Sequence, residues 1–334
     1  MWDAHLSEGL AKQVLWLLGL LPDDQVERVM QRVAGLALSD SSIWRRGVTW
    51  GERLRAVTEA EAALAQALPR AGVVQRGESH SGPRMGVSMD GTMLHLRDEG
   101  FKELKIGAVF AVESRWETPK EGGDAKLVGR AVHTTYVGKL GSPEALGALV
   151  WAEAHRRGWL RALDTMAVGD GAVWIWNQVR LHFGYSLQVV DWYHAKQHLH
   201  AAAGLAYGEG SPEALRRAQR LETPLYQGQA WQVAEVIDGW AAKHEGETGK
   251  ALRTEAGYFR NNKNRMQYLD MQEQGWPIGS GMVESAGKQF GMRMAGPGMR
   301  WSRKGAERMI PLRAAILSQS FDHAWSLTYT SPPN

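Results

Sequence analysis

Three acidic residues, Asp90, Asp170 and Glu284, stand in local sequences that favour chemistry over simple solubility. Asp90 lies within an apolar segment that alternates like a β-strand, where aspartate is disfavoured, and a glycine follows it. Asp170 closes a second apolar segment between two glycines, which let a backbone, a metal ion or a phosphate approach closely. Glu284 follows a Pro- and Gly-rich turn, at the start of a helix that Ser280 is placed to cap.

These acids predict a site for hard metal ions. Oxygen ligands from three separate elements, with no cysteine and no paired histidine nearby, favour Mg²⁺ or Mn²⁺ over Zn²⁺. Two such ions roughly 3.5–4 Å apart activate a water and stabilise the leaving oxygen in phosphodiester cleavage. The simpler interpretations are a surface acid for Asp90 and a helix N-cap for Asp170, and the chain has 36 acidic residues to choose from.

The sequence after Glu284 is basic, which indicates a polyanionic partner. Lys288 lies four residues on, and so on the same helix face. The basic residues of this stretch, opposed only by Glu307, are Lys288, Arg293, Arg300, Arg303, Lys304 and Arg308.

The elements that must position the acids form an α/β pattern. Within residues 84–207 we predict three strands, then helix, strand, helix, strand and helix, which together give a mixed sheet flanked by helices. Asp90 falls in the first strand, and Asp170 at the carboxyl end of the fourth, where open α/β sheets place their ligands. Residues 208–275 are predicted to be a helical insertion, and residues 276–325 to be C-terminal helices that carry Glu284. We expect a kink at Pro311 and a frayed tail over residues 326–334.

Residues 1–70 are predicted to be a separate helical domain, joined to the rest by a Gly-, Ser- and Arg-rich linker over residues 71–83. A polar turn at 39–42 precedes a helix over 43–57, and an alanine-rich helix over 58–68 follows. Helix, short turn and a helix carrying Arg45 and Arg46 resemble a helix-turn-helix DNA reader. A plain helical hairpin explains the same pattern equally well.

Composition limits the class of protein. The chain has 334 residues, 44% of them hydrophobic, a net charge of +3 and no cysteine, so it can bury a core but has no disulfide, thiol nucleophile or cysteine-bound zinc. The apolar run at 14–21 is too short to cross a bilayer and lacks a basic region before it. We therefore expect a cytoplasmic protein without a membrane partner.

The three acids together with longer motifs resemble a known family. The motifs are Tyr-Phe-Arg-Asn-Asn-Lys-Asn-Arg-Met at 258–266, Trp-Pro-Ile-Gly-Ser-Gly-Met-Val-Glu-Ser at 276–285, and Gly-Met-Arg-Trp-Ser at 298–302 followed by Gly-Ala at 305–306. Over about residues 40–320 they resemble the ISKra-type transposases of bacterial insertion sequences, with Asp90, Asp170 and Glu284 as the DDE triad. The resemblance implies an RNase H-like sheet in which strands one and four are adjacent, so that Asp90 lies beside Asp170.

Asp191 and His194 follow the fifth strand and resemble the Cys/Asp-x-x-His motif of hAT and Mutator transposases. We expect them to support the site, for example by holding the flanking DNA strand. A helix N-cap at Asp191 with surface histidines explains the pattern equally well. His194 and His198, four residues apart, also have the spacing of a metal pair, but no third ligand is evident in the sequence.

The resemblance implies a two-metal-ion enzyme that cleaves double-stranded DNA at transposon ends and then transfers the freed 3′ end into target DNA. Its partners would be both DNAs and a second copy of the chain, in the bacterial nucleoid. Alternatives are a catalytically silent DNA-binding derivative and a structure-selective nuclease on the same fold. The residues expected to contact DNA are Arg45, Arg46, Arg260, Lys263, Arg265, Lys288, Arg293, Arg300, Arg303 and Lys304.

Overall fold

The computed structural model describes residues 6–68, 82–118, 123–296 and 299–329. At its centre is a five-stranded sheet in the order β3-β2-β1-β4-β5. β1 is antiparallel to β2 and parallel to β4, so the predicted mixed sheet flanked by helices is confirmed. The strands are β1 (Met85–Leu96), β2 (Gly100–Glu117), β3 (Lys126–Leu140), β4 (Thr165–Gly169) and β5 (Leu187–Val190).

Helices cover both faces of the sheet and fill the region between the fifth strand and Glu284. Within the described residues no helix is long and apolar enough to cross a membrane. The helices that follow the first three strands are α4 (Pro143–Arg156), α5 (Val173–His182) and α6 (Trp192–Tyr207). The insertion contains α7 (Pro212–Tyr226), α8 (Ala230–Ala241), α9 (Gly246–Asn262) and α10 (Tyr268–Glu273), and the last three helices are α11 (Gly281–Met294), α12 (Arg303–Leu317) and α13 (Phe321–Thr328).

One helix boundary near the C-terminus differs from the prediction. α12 continues through Pro311 to Leu317, so the proline at which a kink is expected lies inside this helix. α13 extends to Thr328, so the predicted tail begins inside a helix, where Thr328 Oγ1 donates to the carbonyl of Ala324 at 2.7 Å. The residues of the tail after 329 lie outside the described part of the chain.

The N-terminal region contains α1 (Glu8–Leu18), α2 (Asp23–Ala34) and α3 (Asp40–Gln66). α3 is one helix of 27 residues, so the predicted break near residue 57 is wrong. It begins inside the predicted polar turn, because Ser39 caps it by accepting a hydrogen bond from the backbone N–H of Ser42. Trp50 of this helix stacks on Trp325, which ties the N-terminal helices to α13.

The predicted linker is described only at its end. Residues 71–81 lie outside the described ranges. Gly82 forms a parallel bridge with Ala162, and its N–H donates to the carbonyl of Arg161 at 3.0 Å. The chain therefore enters β1 already paired beside the segment that leads into β4.

β1 separates two parts of the core, because successive side chains point to opposite faces of the sheet. Met85, Val87 and Met89 belong to the larger apolar cluster, which includes residues of α4 and α5. Leu94 and Leu96 belong to a second cluster with residues of α11 and α12. Asp90 has the same parity as Leu94 and Leu96, so its side chain lies on the face that α11 covers.

Candidate metal and catalytic site

The register of the two central strands aligns Asp90 with Asp170. Met85 of β1 pairs with Thr165 of β4, and the pairing continues in step to Ser88 and Val168. Two further residues in the same register place Asp90 opposite Asp170, just past the end of β4. Opposed residues on parallel strands point to the same face, so both carboxylates lie on the side of α11.

Glu284, in the first turn of α11, completes a group of three acids. Burial raises the pKa of the Asp90 carboxyl, and the negative charges of Asp170 and Glu284 raise it further. A hydrogen bond from the backbone N–H of Gly91, at 2.7 Å, and the nearby His194 act in the opposite direction. The structure thus brings the three predicted acids into one electrostatic neighbourhood, in which the ionised form of Asp90 is disfavoured without a cation.

The backbone around Asp170 is held by the insertion. Asp170 Oδ1 accepts a hydrogen bond from the N–H of Ala172 at 2.8 Å, but Ala172 is itself the N-cap residue of α5, so the simpler N-cap interpretation of Asp170 is wrong. Gly171 has a φ of +105°, and a Cβ there would lie 2.6 Å from the Tyr258 ring. The Tyr258 hydroxyl of α9 donates to the Asp170 carbonyl at 2.8 Å. The glycine after the acid is therefore required both by its backbone conformation and by the close approach of this tyrosine.

Replacing Tyr258 tests this contact. We expect Tyr258→Phe to lower the free energy of unfolding by about 1 kcal/mol, because the partly buried Asp170 carbonyl loses its hydrogen-bond donor. Urea unfolding measures the change. Tyr193→Phe is the control, because Tyr193 is 65% exposed and its variant should stay within about 0.5 kcal/mol of wild type. Equal stability of the two variants would contradict the role given to Tyr258.

Asp191 is the most completely buried acid of the site, with no exposed surface. Its Oδ1 accepts the backbone N–H of His194 at 2.8 Å, which makes it the N-cap of α6. Its Oδ2 accepts from the backbone N–H of Ser280 and, at 2.7 Å, from the Ser280 hydroxyl. The expectation that Asp191 holds the flanking DNA strand is therefore wrong, because DNA cannot reach its side chain. Its supporting role is to join α6 to the start of α11.

Ser280 does not have the predicted capping role. It occupies the N-cap position of α11, but its side chain makes no hydrogen bond to the helix N-terminus. The hydroxyl instead donates to Oδ2 of the buried Asp191 side chain. The Ile278 carbonyl also accepts from Trp192 N–H at 2.9 Å. The turn before Glu284 is thus fixed to the first turn of α6.

Asp191, His194 and Glu284 form a group that could hold a metal ion, with one potential ligand atom from each lying within 4.8 Å of the others. The part of the chain that the structure describes contains no second group of this kind, so Asp90, Asp170 and Glu284 do not come equally close. The sequence analysis found no third ligand for His194 and His198. Glu284 supplies one for His194, whereas His198 Nδ1 faces Glu255 Oε2 at 2.7 Å.

Arg293, predicted to contact DNA, is instead part of the core. It is 2% exposed, and its Nε donates to the carbonyl of Leu18 at 2.8 Å. Burial lowers its pKa to about 10, partly offset by Asp23. Arg293 lies at the end of α11 on the same face as Val283 and Phe290, which are three turns and one turn earlier. Its prediction as a phosphate ligand is wrong, because the guanidinium is enclosed and already bonded.

The other residues predicted to contact DNA differ in whether their side chains already bond to other residues of the protein. Arg265 donates to Gln188 at 2.8 Å and lies over the Trp176 ring, so it is a packing residue in this structure. Arg260 pairs with Asp238, and Arg303 pairs with Glu99. Arg45 is exposed and bonds within its own helix, and Arg46 is half-buried. The exposed residues whose side chains make no hydrogen bond or ion pair among the described residues are Lys263, Lys288, Arg300 and Lys304.

Comparison with known proteins returns no relative, because no protein-family model and no curated protein matches the chain. We therefore infer a function from the fold and from the residues of the site.

Proposed function

We propose that this protein is a metal-dependent DDE transposase, similar to the ISKra-type enzymes, that cleaves DNA at transposon ends and transfers the freed strand into target DNA. The observation that supports the proposal most directly is the position of the three acids. Asp90 lies on the central strand, Asp170 is aligned with it past the end of the neighbouring strand, and Glu284 approaches from a late helix.

The fold supports an RNase H-like assignment in three ways. The sheet is mixed, its first and fourth strands are adjacent, and helices α7 to α10 lie between Asp170 and Glu284 in the chain. Each of these is a feature that the resemblance of the sequence implies. These three features are positions of strands and helices. They therefore support the assignment independently of which three acids are chosen from the many in the chain.

The chemistry of the donor set fits divalent cations. Asp90 is partly buried, and two further carboxylates oppose its ionisation, so cations at this position would offset the repulsion between the three acids. We assign Asp90, Asp170 and Glu284 as the residues that would hold two Mg²⁺ or Mn²⁺ ions. Such ions supply Lewis-acid activation of water and stabilisation of the leaving oxygen.

The side chains of the protein have complementary tasks. Asp90 lies in the central strand and Asp170 directly follows the neighbouring strand, so the sheet would hold their carboxylates at a defined separation. The Asp191–Ser280 contact holds the start of α11 and therefore the position of Glu284. Lys288 and Lys304 are exposed on α11 and α12 and free to neutralise DNA phosphates. A second copy of the chain in the DNA complex remains an expectation from the resemblance, because two transposon ends must be joined.

The phosphate contacts can be tested by their salt dependence. We expect the double variant Lys288→Ala, Lys304→Ala to bind double-stranded DNA more weakly than wild type. Its plot of log affinity against log salt should be shallower by roughly 0.9 for each lost phosphate contact. Fluorescence anisotropy of labelled DNA over a series of salt concentrations measures the affinity and its salt dependence. The matched control is Lys243→Ala, Lys250→Ala in the insertion, where both lysines are also exposed. Equal slopes for all three proteins would remove α11 and α12 from the DNA interface.

The reaction itself is tested with a plasmid that carries the element's own ends. Wild-type protein with Mg²⁺ should nick at the ends and join the freed 3′ end to a second DNA, and EDTA should abolish both products. Cleavage of branched DNA without preference for the ends, and without joined products, would instead indicate a structure-selective nuclease. Binding without any cleavage would indicate a silent derivative.

A further inference from the structure

His194 has the surroundings of a metal-binding histidine. It lies in the first turn of α6, where its backbone N–H donates to Asp191 Oδ1 at 2.8 Å. Its ring Nδ1 lies 3.2 Å from Gln197 Oε1. When Nδ1–H donates to that oxygen, Nε2 carries the free lone pair. Metal-binding histidines are oriented in this manner, by a hydrogen bond on the nitrogen that does not bind the metal.

Glu284 lacks a full hydrogen-bond donor. The Ser280 hydroxyl has a single hydrogen and lies 2.7 Å from Asp191 Oδ2 but 3.1 Å from Glu284 Oε1. The shorter contact takes the hydrogen, and Glu284 has no other hydrogen bond or ion pair within the described residues. Its carboxylate is half-buried, so both oxygens remain available as ligands for a cation.

Asp191 is the buried member of the group that it forms with His194 and Glu284. Three of its lone-pair positions accept from His194 and Ser280, which leaves one on Oδ1 for a further contact. Its main effect is to hold both ligand-bearing segments at fixed positions, since His194 follows it on α6 and Ser280 leads into α11. A site whose ligands are held by surrounding hydrogen bonds loses little entropy when an ion binds.

We propose that Asp191, His194 and Glu284 form a binding site for one first-row transition-metal ion such as Mn²⁺. The imidazole nitrogen distinguishes it from the all-oxygen ligands Asp90 and Asp170, because imidazole suits transition metals whereas Mg²⁺ prefers oxygen. The inference deepens the proposed function, on which it rests for the role of Glu284 in catalysis. Binding of the ion itself requires no DNA.

Pulsed electron paramagnetic resonance of Mn²⁺ bound to the full-length protein tests the site without any reaction. We expect a nitrogen hyperfine coupling in wild type, its loss in His194→Ala, and a Mn²⁺ affinity at least about tenfold weaker in that variant. His198→Ala is the matched control, one turn further along α6 with its Nδ1 turned to Glu255. It should keep both the coupling and the affinity.

The outcomes separate this inference from the proposed function. Absence of nitrogen coupling in wild type, or its loss in His198→Ala instead of His194→Ala, would overturn the His194 site. If metal-dependent DNA cleavage were still observed, the proposed function would stand alone. Nitrogen coupling through His194 in a protein that never cleaves DNA would leave the metal site standing and the proposed function refuted.

Discussion

The substitution Asp90→Asn should reduce metal-dependent DNA cleavage by on the order of 10³-fold or more. The variant keeps the shape of the side chain but removes the charge that the two proposed cations would share, and such electrostatic stabilisation of a transition state contributes several kcal/mol. Quantifying nicked plasmid under single-turnover conditions with saturating Mg²⁺ measures the loss. Cleavage at the wild-type rate would mean that the assignment of the three acids is wrong.

The same variant should not be less stable than wild type when divalent cations are absent. The folded-state pKa of Asp90 is raised by burial, and a carboxyl of this kind costs stability as the pH rises from its unfolded to its folded pKa. This penalty is present in wild type above the unfolded pKa and absent from Asp90→Asn, whose side chain carries no charge. We therefore expect the unfolding free energy in EDTA to be equal or higher for the variant. Mg²⁺ at 100 times its dissociation constant should raise the unfolding free energy of wild type by about 2.7 kcal/mol. The same concentration should stabilise the variant less.

A distinct control separates loss of charge from damage to the fold. Asp322 is an exposed acid, 84% accessible and paired with Lys12, so Asp322→Asn should change neither cleavage nor stability by much. A variant of Asp90 that unfolded more easily than wild type in EDTA would contradict the electrostatic description of the site.

The second large effect concerns stability. We expect Asp191→Ala to lower the free energy of unfolding by about 3–4 kcal/mol, because the buried N–H groups of His194 and Ser280 and the Ser280 hydroxyl lose their acceptor. Asp191→Asn should cost less, about 1–2 kcal/mol, since its amide oxygen can still accept from His194. Urea unfolding of wild type and both variants measures the two losses of unfolding free energy.

Two results would contradict this account. If Asp191→Asn were as unstable as Asp191→Ala, the loss would come from charge rather than from individual hydrogen bonds. If neither variant were destabilised, the contact between α6 and α11 would not be important for the fold. The first result would still leave Asp191 essential, whereas the second would remove its positioning role.

The sequence predicts the strands well because their apolar alternation is local. It cannot predict the contact between Asp191 and Ser280, which are 89 residues apart in the chain and meet only after the insertion has folded back. Arg293 shows a different limit. Its position continues the spacing of Val283, Ala286 and Phe290 on the buried face of α11, so periodicity could have placed it inside. The basic character of the stretch concealed that signal.

The role of Tyr258 also depends on tertiary structure. Its sequence motif resembles a family pattern, but nothing local indicates that its hydroxyl reaches the Asp170 carbonyl. The glycine at 171 was the available signal, since a positive φ and a close neighbour are common reasons for a glycine after a strand. The partner that approaches it could be identified only from the fold.

Helix α11 joins two regions of the protein that are far apart. Its 14 residues span about 21 Å, with Glu284 near one end and Arg293 near the other. Arg293 and Arg313 donate to the carbonyls of Leu18 and Gly19, where α1 ends. The helix therefore connects the N-terminal helices to the three acids of the site. If a ligand displaced α1, it would change the energy of placing Glu284, and by thermodynamic reciprocity an ion bound at Glu284 would change the affinity of the N-terminal helices for that ligand.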